Sequence, residues 1–369
     1  MKKCVLSVFS VILGALLCLC ACTASAAAEF RPVKWHTVQQ TLACDGRTVV
    51  IDAITDLDIP LKVNEWSVHS RVWTEEELRQ VIAVVAPEKE SMVRSVHPDP
   101  EDIMLVEETT NAYASSYAGC ISIVPTASQN WSKYDYATIG PSCFYIQHEP
   151  AVEAVPPLAF ANYQQVISEL EPLLHTLHCE ISMPDYVEAW DLDTLVQNDK
   201  HWGKAPANGE SSTVWTLDDE LYTLHFPAYF QGVRLHADYE SEVENMLLFR
   251  TGVDCSVSAA GVLLICAEAC MFDGAETLGS PEQPLSIEEA IERYRQMRAN
   301  MVWEENQEII IDKILLEYAV MRNGTEAKAP YHLIPMWCFY YKIEWADLPS
   351  GYDVKIDKIH ALTGEPLQY

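Results

Sequence analysis

Glycine is scarce in this chain, with 14 in 369 residues, and neither Gly-x-x-x-x-Gly-Lys-Ser/Thr nor Gly-x-Gly-x-x-Gly occurs. The phosphate loop and the dinucleotide fingerprint are thereby excluded. Positive charge is also in short supply: 24 Lys and Arg face 54 Asp and Glu, a formal net charge of −30. That balance argues against nucleic acid and against adhesion to anionic lipid headgroups, both of which need a basic face. No apolar run of spanning length follows residue 19. His-Glu-x-x-His, Cys-x-x-Cys and Gly-x-Ser-x-Gly are missing as well, which removes the helical zinc-protease site, the dithiol redox motif and the nucleophile elbow.

What is present begins at the N-terminus. Lys2 and Lys3 precede an apolar run from Val5 to Leu19, which ends in Leu19-Cys20-Ala21-Cys22. Charged, apolar and small-residue parts in that order make a secretory signal. The run of about 15 residues falls short of the roughly 20 that span a bilayer. Ala21 before the bond and Cys22 after it read as a lipobox, so residues 1–21 are expected to be a lipoprotein signal peptide and Cys22 the lipidated residue. Residues 22–34 would be a flexible tether. Two acyl chains hold a protein to a membrane stably, which places the chain on the extracytoplasmic face of the cell membrane. The alternative is cleavage after Ala26, at Ala24-Ser25-Ala26, which would give a secreted protein.

Residues 1–21 hold two lysines and no acid, so the mature chain carries 22 basic against 54 acidic residues, a charge of −32. An apolar fraction of 49% with ten Trp and seventeen Tyr supplies ample core, and this length suggests two domains. Beyond Cys22 lie eight cysteines: Cys44, Cys120, Cys143, Cys179, Cys255, Cys266, Cys270 and Cys338. Export permits disulfides. Cys255 and Cys266 flank the turn-like Ser258-Ala259-Ala260-Gly261 and are the expected pair, facing each other across a hairpin. Buried free thiols are the alternative.

Thr48–Ile54 and Leu61–Trp73 read as two paired strands. Thr74-Glu75-Glu76-Glu77 is a capping box that opens a helix with Leu78, Val81, Ile82 and Val85 on one face. Short apolar pieces between 88 and 157, such as Cys120–Val124 and Cys143–Ile146, look like strands. A helix starts at Tyr163 and contains Pro172, which predicts a kink or two abutting helices. Residues 198–214 lack periodicity, and a boundary there divides an N-terminal α+β domain, 35–205, from a C-terminal one, 214–369. In the latter, Leu221–Leu235 and Asn245–Cys270 read as strands with turns at Gly232 and Gly261. A second capping box, Ser286-Ile287-Glu288-Glu289, opens a helix, and three strands follow at Ile309–Met321, Tyr331–Ile343 and Tyr352–Ala361. Turns are expected at Asn323-Gly324 and Pro349-Ser350-Gly351. The fold class is α+β, with an antiparallel sheet packed on a helix at the C-terminus.

Leu285-Ser286-Ile287-Glu288-Glu289-Ala290 at the helix start, and Val354-Lys355-Ile356-Asp357 with Ala361-Leu362-Thr363-Gly364-Glu365 at the end, give the tail a pattern that resembles the PepSY-type unit. Tyr331–Phe339, with Pro335 and Trp337, is similar to a strand of extracytoplasmic regulators of a cell-wall sensor kinase and of uncharacterised lipoproteins of Gram-positive gut bacteria. His360 makes the final spacing longer than the usual one. Pro335 suits an edge strand. The resemblance implies a binding or regulatory module with no catalytic residues and no cofactor.

Chemistry-bearing residues are few. His148-Glu149-Pro150 is broken by its proline as a zinc site, and Cys143 with His148 has no nucleophile–base geometry. Asp191-Leu192-Asp193 starts like a calcium loop, but position five is Leu195. No metal is expected. Among the many pairings that 54 acids and ten tryptophans allow, Trp190, Asp191, Asp193, Asp199 and Trp202 form the best cluster for stacking on a sugar; Trp in packing is the plainer reading. The leading expectation is therefore a lipid-anchored, non-enzymatic module for a membrane or envelope protein. A secreted enzyme of cell-wall or glycan turnover and a solute-binding lipoprotein are the alternatives.

Overall fold

A computed structural model describes residues 30–44, 47–86, 92–95, 102–107, 112–117, 120–125, 134, 155–202, 214–236, 241–243, 246–248, 251–301, 309–323, 330–344 and 352–367. The chain runs β1 (Trp35–Cys44), β2 (Arg47–Asp56), β3 (Trp66–Ser70), α1 (Glu75–Val85), β4 (Val93–Ser95), β5 (Ile103–Glu107), β6 (Ala112–Tyr117), β7 (Cys120–Val124) and α2 (Tyr163–Thr176). It continues through β8 (Glu180–Ile181), β9 (Tyr186–Trp190), α3 (Leu192–Trp202), β10 (Leu221–Phe226), β11 (Ala228–Phe230), β12 (Val233–Leu235), β13 (Ser241–Val243) and β14 (Met246–Leu248). Last come β15 (Gly252–Ser258), β16 (Gly261–Glu268), β17 (Phe272–Thr277), α4 (Ile287–Ala299), β18 (Ile309–Asn323), β19 (Tyr331–Glu344) and β20 (Tyr352–His360).

These strands make an α+β fold dominated by two sheets. The smaller, of eight strands, has the order β4-β5-β6-β7-β16-β15-β10-β9. The larger, of twelve, is built around β18 and β19, which pair antiparallel along most of their length. Because both are long, each has several neighbours on its outer edge. Along β18 these are β2 in parallel, then β12 in parallel, then β14 antiparallel. Along β19 they are β3 and then β20, both antiparallel. Pro335 falls between Tyr331–Leu333, paired with β3, and Met336–Glu344, paired with β20. It thus occupies a gap in pairing on a central strand, which corrects the expected edge strand; a residue without an N–H fits either place.

Both capping boxes form. Thr74 Oγ1 accepts from Glu77 N at 3.2 Å, and Ser286 Oγ accepts from Glu289 N at 3.2 Å. A third, Asn162 with Gln165, starts α2. Pro172 lies inside α2, which is one continuous helix rather than two. α4 lies against the large sheet, with Tyr294 stacked on Phe339 at 4.2 Å between ring centroids. Trp337 Nε1 donates to Leu285 O at 3.1 Å, fixing the entry to that helix.

Three expectations are corrected. β2 pairs with β1 and β18, and not with β3, which lies between β17 and β19. Each sheet takes strands from both sides of residues 205–214, and one apolar cluster runs from Leu42 to Ala361. The boundary expected there separates neither two sheets nor two cores, and α3 already occupies 192–202. Finally, the residues read as the end of the tether are docked. Phe30 stacks on Phe226 at 6.0 Å, and Arg31 pairs with Glu180 at 2.7 Å. The turns at Asn323-Gly324 and Pro349–Gly351, like Cys143–Ile146, lie largely or wholly outside the described residues.

Candidate functional site

β18 and β19 are buried on both faces. One face sends Ile314, Leu316, Tyr318 and Val320, with Trp337, Phe339 and Tyr341, into the main core. The other carries Leu315, Ala319, Met321, Met336, Cys338 and Tyr340. Alternation along β18 places Lys313 and Glu317 on this second face, where Lys313 is opposite Tyr340 and Leu315 opposite Cys338. Parallel pairing of β12 sets Arg234 beside Glu317. His236 follows at the strand end, its N–H donating to Tyr318 O at 2.9 Å. β12 and its end thereby deliver two basic groups to one buried carboxylate on the sequence-distant β18.

Glu317 has no exposed surface, and its two oxygens face different partners. Oε1 is 3.0 Å from Arg234 Nε. Oε2 is 2.5 Å from His236 Nδ1 and accepts from the Tyr340 hydroxyl at 2.7 Å. A carboxylate only accepts, so His236 carries its proton on Nδ1. Tyr340 Oη and Cys338 Sγ lie 3.3 and 3.8 Å from that same nitrogen. On the far side Arg234 Nη2 donates to Asp185 Oδ2. Asp185 N donates to His225 O at 3.2 Å, and His225 Nδ1 lies 2.9 Å from Asp254 Oδ1. The chain of polar groups thus runs from the small sheet into the middle of the large one.

Burial raises the cost of every charge here, and opposite charges overcome it. Burial pushes the Glu317 carboxyl up, yet His236, Arg234 and Tyr340 outweigh it and hold the group at about 2. For Asp185 burial is likewise outweighed by Arg234, His225 and Lys313, and its value is lowered. Arg234 is driven further up because Asp185 and Glu317 exceed its desolvation. Lys313 goes the other way. Burial and then Arg234 lower it to about 8. Burial followed by Glu317 pushes the Tyr340 hydroxyl up, so it stays a donor.

The cluster expected to stack on a sugar does not assemble as one. Trp190 is buried, its indole Nε1 donating to Thr223 Oγ1 at 2.9 Å. Packed between Leu195, Leu221 and Leu263, it offers no ring face to a ligand, which corrects that expectation. Asp191 is a helix cap, its Oδ1 accepting from Thr194 N at 2.8 Å. Asp199 accepts from Trp215 Nε1 at 3.1 Å, and Asp193 is exposed in the first turn of α3. Trp202 ends α3, and its side chain lies outside the described residues.

The Cys255–Cys266 disulfide is also corrected. In the β15–β16 ladder Cys255 faces Ile265 and Asp254 faces Cys266. One residue of offset puts the two thiols on opposite faces of the sheet. Both are free, and Cys266 Sγ donates to Glu268 Oε1 at 3.1 Å. Cys22, Cys143, His148 and Glu149 lie outside the described residues. Motif spacing did not reveal the buried network because its members sit at 185, 234, 236, 313, 317, 338 and 340. The one local signal was Lys313 and Glu317, two charges that alternate with Leu315, Ala319 and Met321 on one face of β18.

No family model and no curated protein matches the chain. A solved structure of an uncharacterized protein from Eubacterium rectale ATCC 33656 is similar to it, with a TM-score of 0.59 at 11% identity. The alignment covers 87% of this chain and 91% of that one. At that identity the likeness concerns the fold alone.

Proposed function

We propose that the chain is a membrane-anchored extracytoplasmic lipoprotein, and a non-enzymatic binding or regulatory module for a membrane or envelope protein. The observation that carries this reading is the N-terminal sequence, Lys2-Lys3, the apolar run and Leu19-Cys20-Ala21-Cys22. Among the described residues no helix is long and apolar enough to cross a membrane. The PepSY-like reading of the tail draws support from α4 followed by the antiparallel meander β18-β19-β20. A charge of −32 on the mature chain favours a partner that presents basic or neutral surface.

The test is made in a bacterial host grown with an alkyne-bearing palmitate. The native chain is expected to take up label and to sediment with membranes. C22A should lose the label and stay as unprocessed precursor. Label on C22A, or release of the native chain after Ala26, would overturn the anchor. In the same cells, crosslinking is expected to recover one discrete membrane or envelope protein. Recovery of no partner from labelled, membrane-bound chain would overturn the binding role.

A further inference from the structure

We propose that His236, Glu317 and Cys338, joined by Tyr340, hold one zinc-class divalent ion inside the large sheet. The ligand atoms of His236, Glu317 and Cys338 all lie within 4.8 Å of one another. An imidazole, a carboxylate and a thiol together are the donor set of a borderline-soft ion; hard magnesium or calcium would call for oxygen throughout.

The separations among His236, Glu317 and Tyr340, and from His236 to Cys338, are no longer than a zinc tetrahedron requires, and Glu317 lies within 4.8 Å of Cys338. Zinc bonds of 2.0 to 2.3 Å separate neighbouring donors by about 3.3 to 3.8 Å. His236 Nδ1 is already 3.8 Å from Cys338 Sγ and 3.3 Å from Tyr340 Oη. The two shorter separations, 2.5 Å from Glu317 Oε2 to His236 Nδ1 and 2.7 Å to Tyr340 Oη, are ones that protons bridge. Entry of the ion replaces those bridges, and the donors part by less than about 1 Å. Zn–N, Zn–O and Zn–S bonds form while the Cys338 thiol proton leaves to solvent, the His236 proton passes from Nδ1 to Nε2, and Tyr340 keeps its hydroxyl proton. No electron moves.

The groups around the site suit this occupant. Arg234 lies on the oxygen of Glu317 that the ion would not use, at 3.0 Å, which orients the carboxylate. Asp185 balances Arg234. A thiolate and a carboxylate neutralise the dication, leaving as further cations on this face Lys313 on β18, whose Nζ sits 5.2 Å from the Tyr340 ring centroid, and the buried Lys358, opposite Cys338 on β20. All four donors are buried, so the ion would be taken up as the chain folds and kept as a structural ion.

The experiment unfolds the full chain with chelator, then refolds it with zinc, with cobalt(II) or with neither. The expected result is one zinc per chain after gel filtration and a higher urea midpoint than the metal-free sample. Cobalt(II) is expected to give a thiolate-to-metal charge-transfer band that C338A loses and C266A keeps. If C338A does not fold, X-ray absorption of the cobalt-refolded native chain decides, with one sulfur in the shell expected. Refolded chain that carries no metal, a midpoint unmoved by zinc, a cobalt band that survives in folded C338A or vanishes in C266A, or a shell without sulfur would each overturn the site.

Discussion

Arg298 and Asp357 form a largely buried ion pair that joins α4 to β20. Arg298 Nε also donates to the Tyr294 hydroxyl at 3.0 Å, and its guanidinium lies 4.7 Å from the Tyr341 ring centroid. Burial pushes the Asp357 carboxyl up and Arg298 pulls it back only in part. R298A should therefore destabilise the fold by roughly 3 to 5 kcal/mol, because it strands a buried carboxylate. R298M/D357N should recover a large part of that loss. Urea unfolding of both variants checks this, and a double variant as unstable as the sum of its singles would count against the pairing.

In the metal-free chain, stability should be acid-sensitive at Glu317. The group is held at about 2 when folded against an ordinary 4.5, so its contribution is complete above 4.5. It is lost as pH falls from there through about 2, where the folded carboxylate also takes up a proton. E317Q has nothing to titrate. Its urea midpoint should be lower at pH 7, since Arg234 then faces a neutral amide, and should fall less steeply than the native midpoint between pH 4.5 and 2. Parallel curves would refute the assignment.

Three glycines with left-handed φ rank by what surrounds them. A Cβ at Gly252 (φ +108°) would sit 2.6 Å from His225 Cε1 and 2.7 Å from Phe226 O, a backbone atom that cannot step aside. At Gly364 (φ +74°) the near contact is Arg293 Cγ at 2.8 Å, on a flexible side chain, and at Gly261 (φ +103°) nothing lies within 4 Å. G261A should cost about 1 kcal/mol from backbone strain alone. G364A should cost somewhat more, and G252A the most, in thermal unfolding. Any other order would contradict the packing.

Cys255 and Cys266 should both be alkylated when the chain is denatured without reductant and mapped by peptide mass. A crosslinked peptide containing the two would require a register shifted by one residue, which would turn one strand of the pair over.

Local rules were readable wherever the structure is local. Thr74 with Glu77 and Ser286 with Glu289 announce their helices because the cap is made within four residues. The three final strands lie within a few residues of their expected bounds, since alternation and turn formers are also short-range signals. Partner choice was not readable. β3 pairs with strands more than 200 positions away, near Phe272 and Tyr331, and no local pattern encodes that. Trp190 misled for the same reason, as its burial depends on Leu195, Leu221 and Leu263 arriving from three elements. Likewise His236, Glu317 and Cys338 meet only through the β12-β18-β19 register.

The docking of Phe30 and Arg31 limits how far the body would stand from the anchor proposed at Cys22. Eight residue steps separate Phe30 from Cys22, at most about 30 Å when fully drawn out. Arg31 is clamped by Glu180 and by Gly232 O at 3.1 Å, so the leash leaves the body at the β8–β11–β12 edge. On the proposal that Cys22 is acylated, that edge would stand within about 30 Å of the bilayer, and partners within reach of it would be confined to a layer little deeper than the body itself.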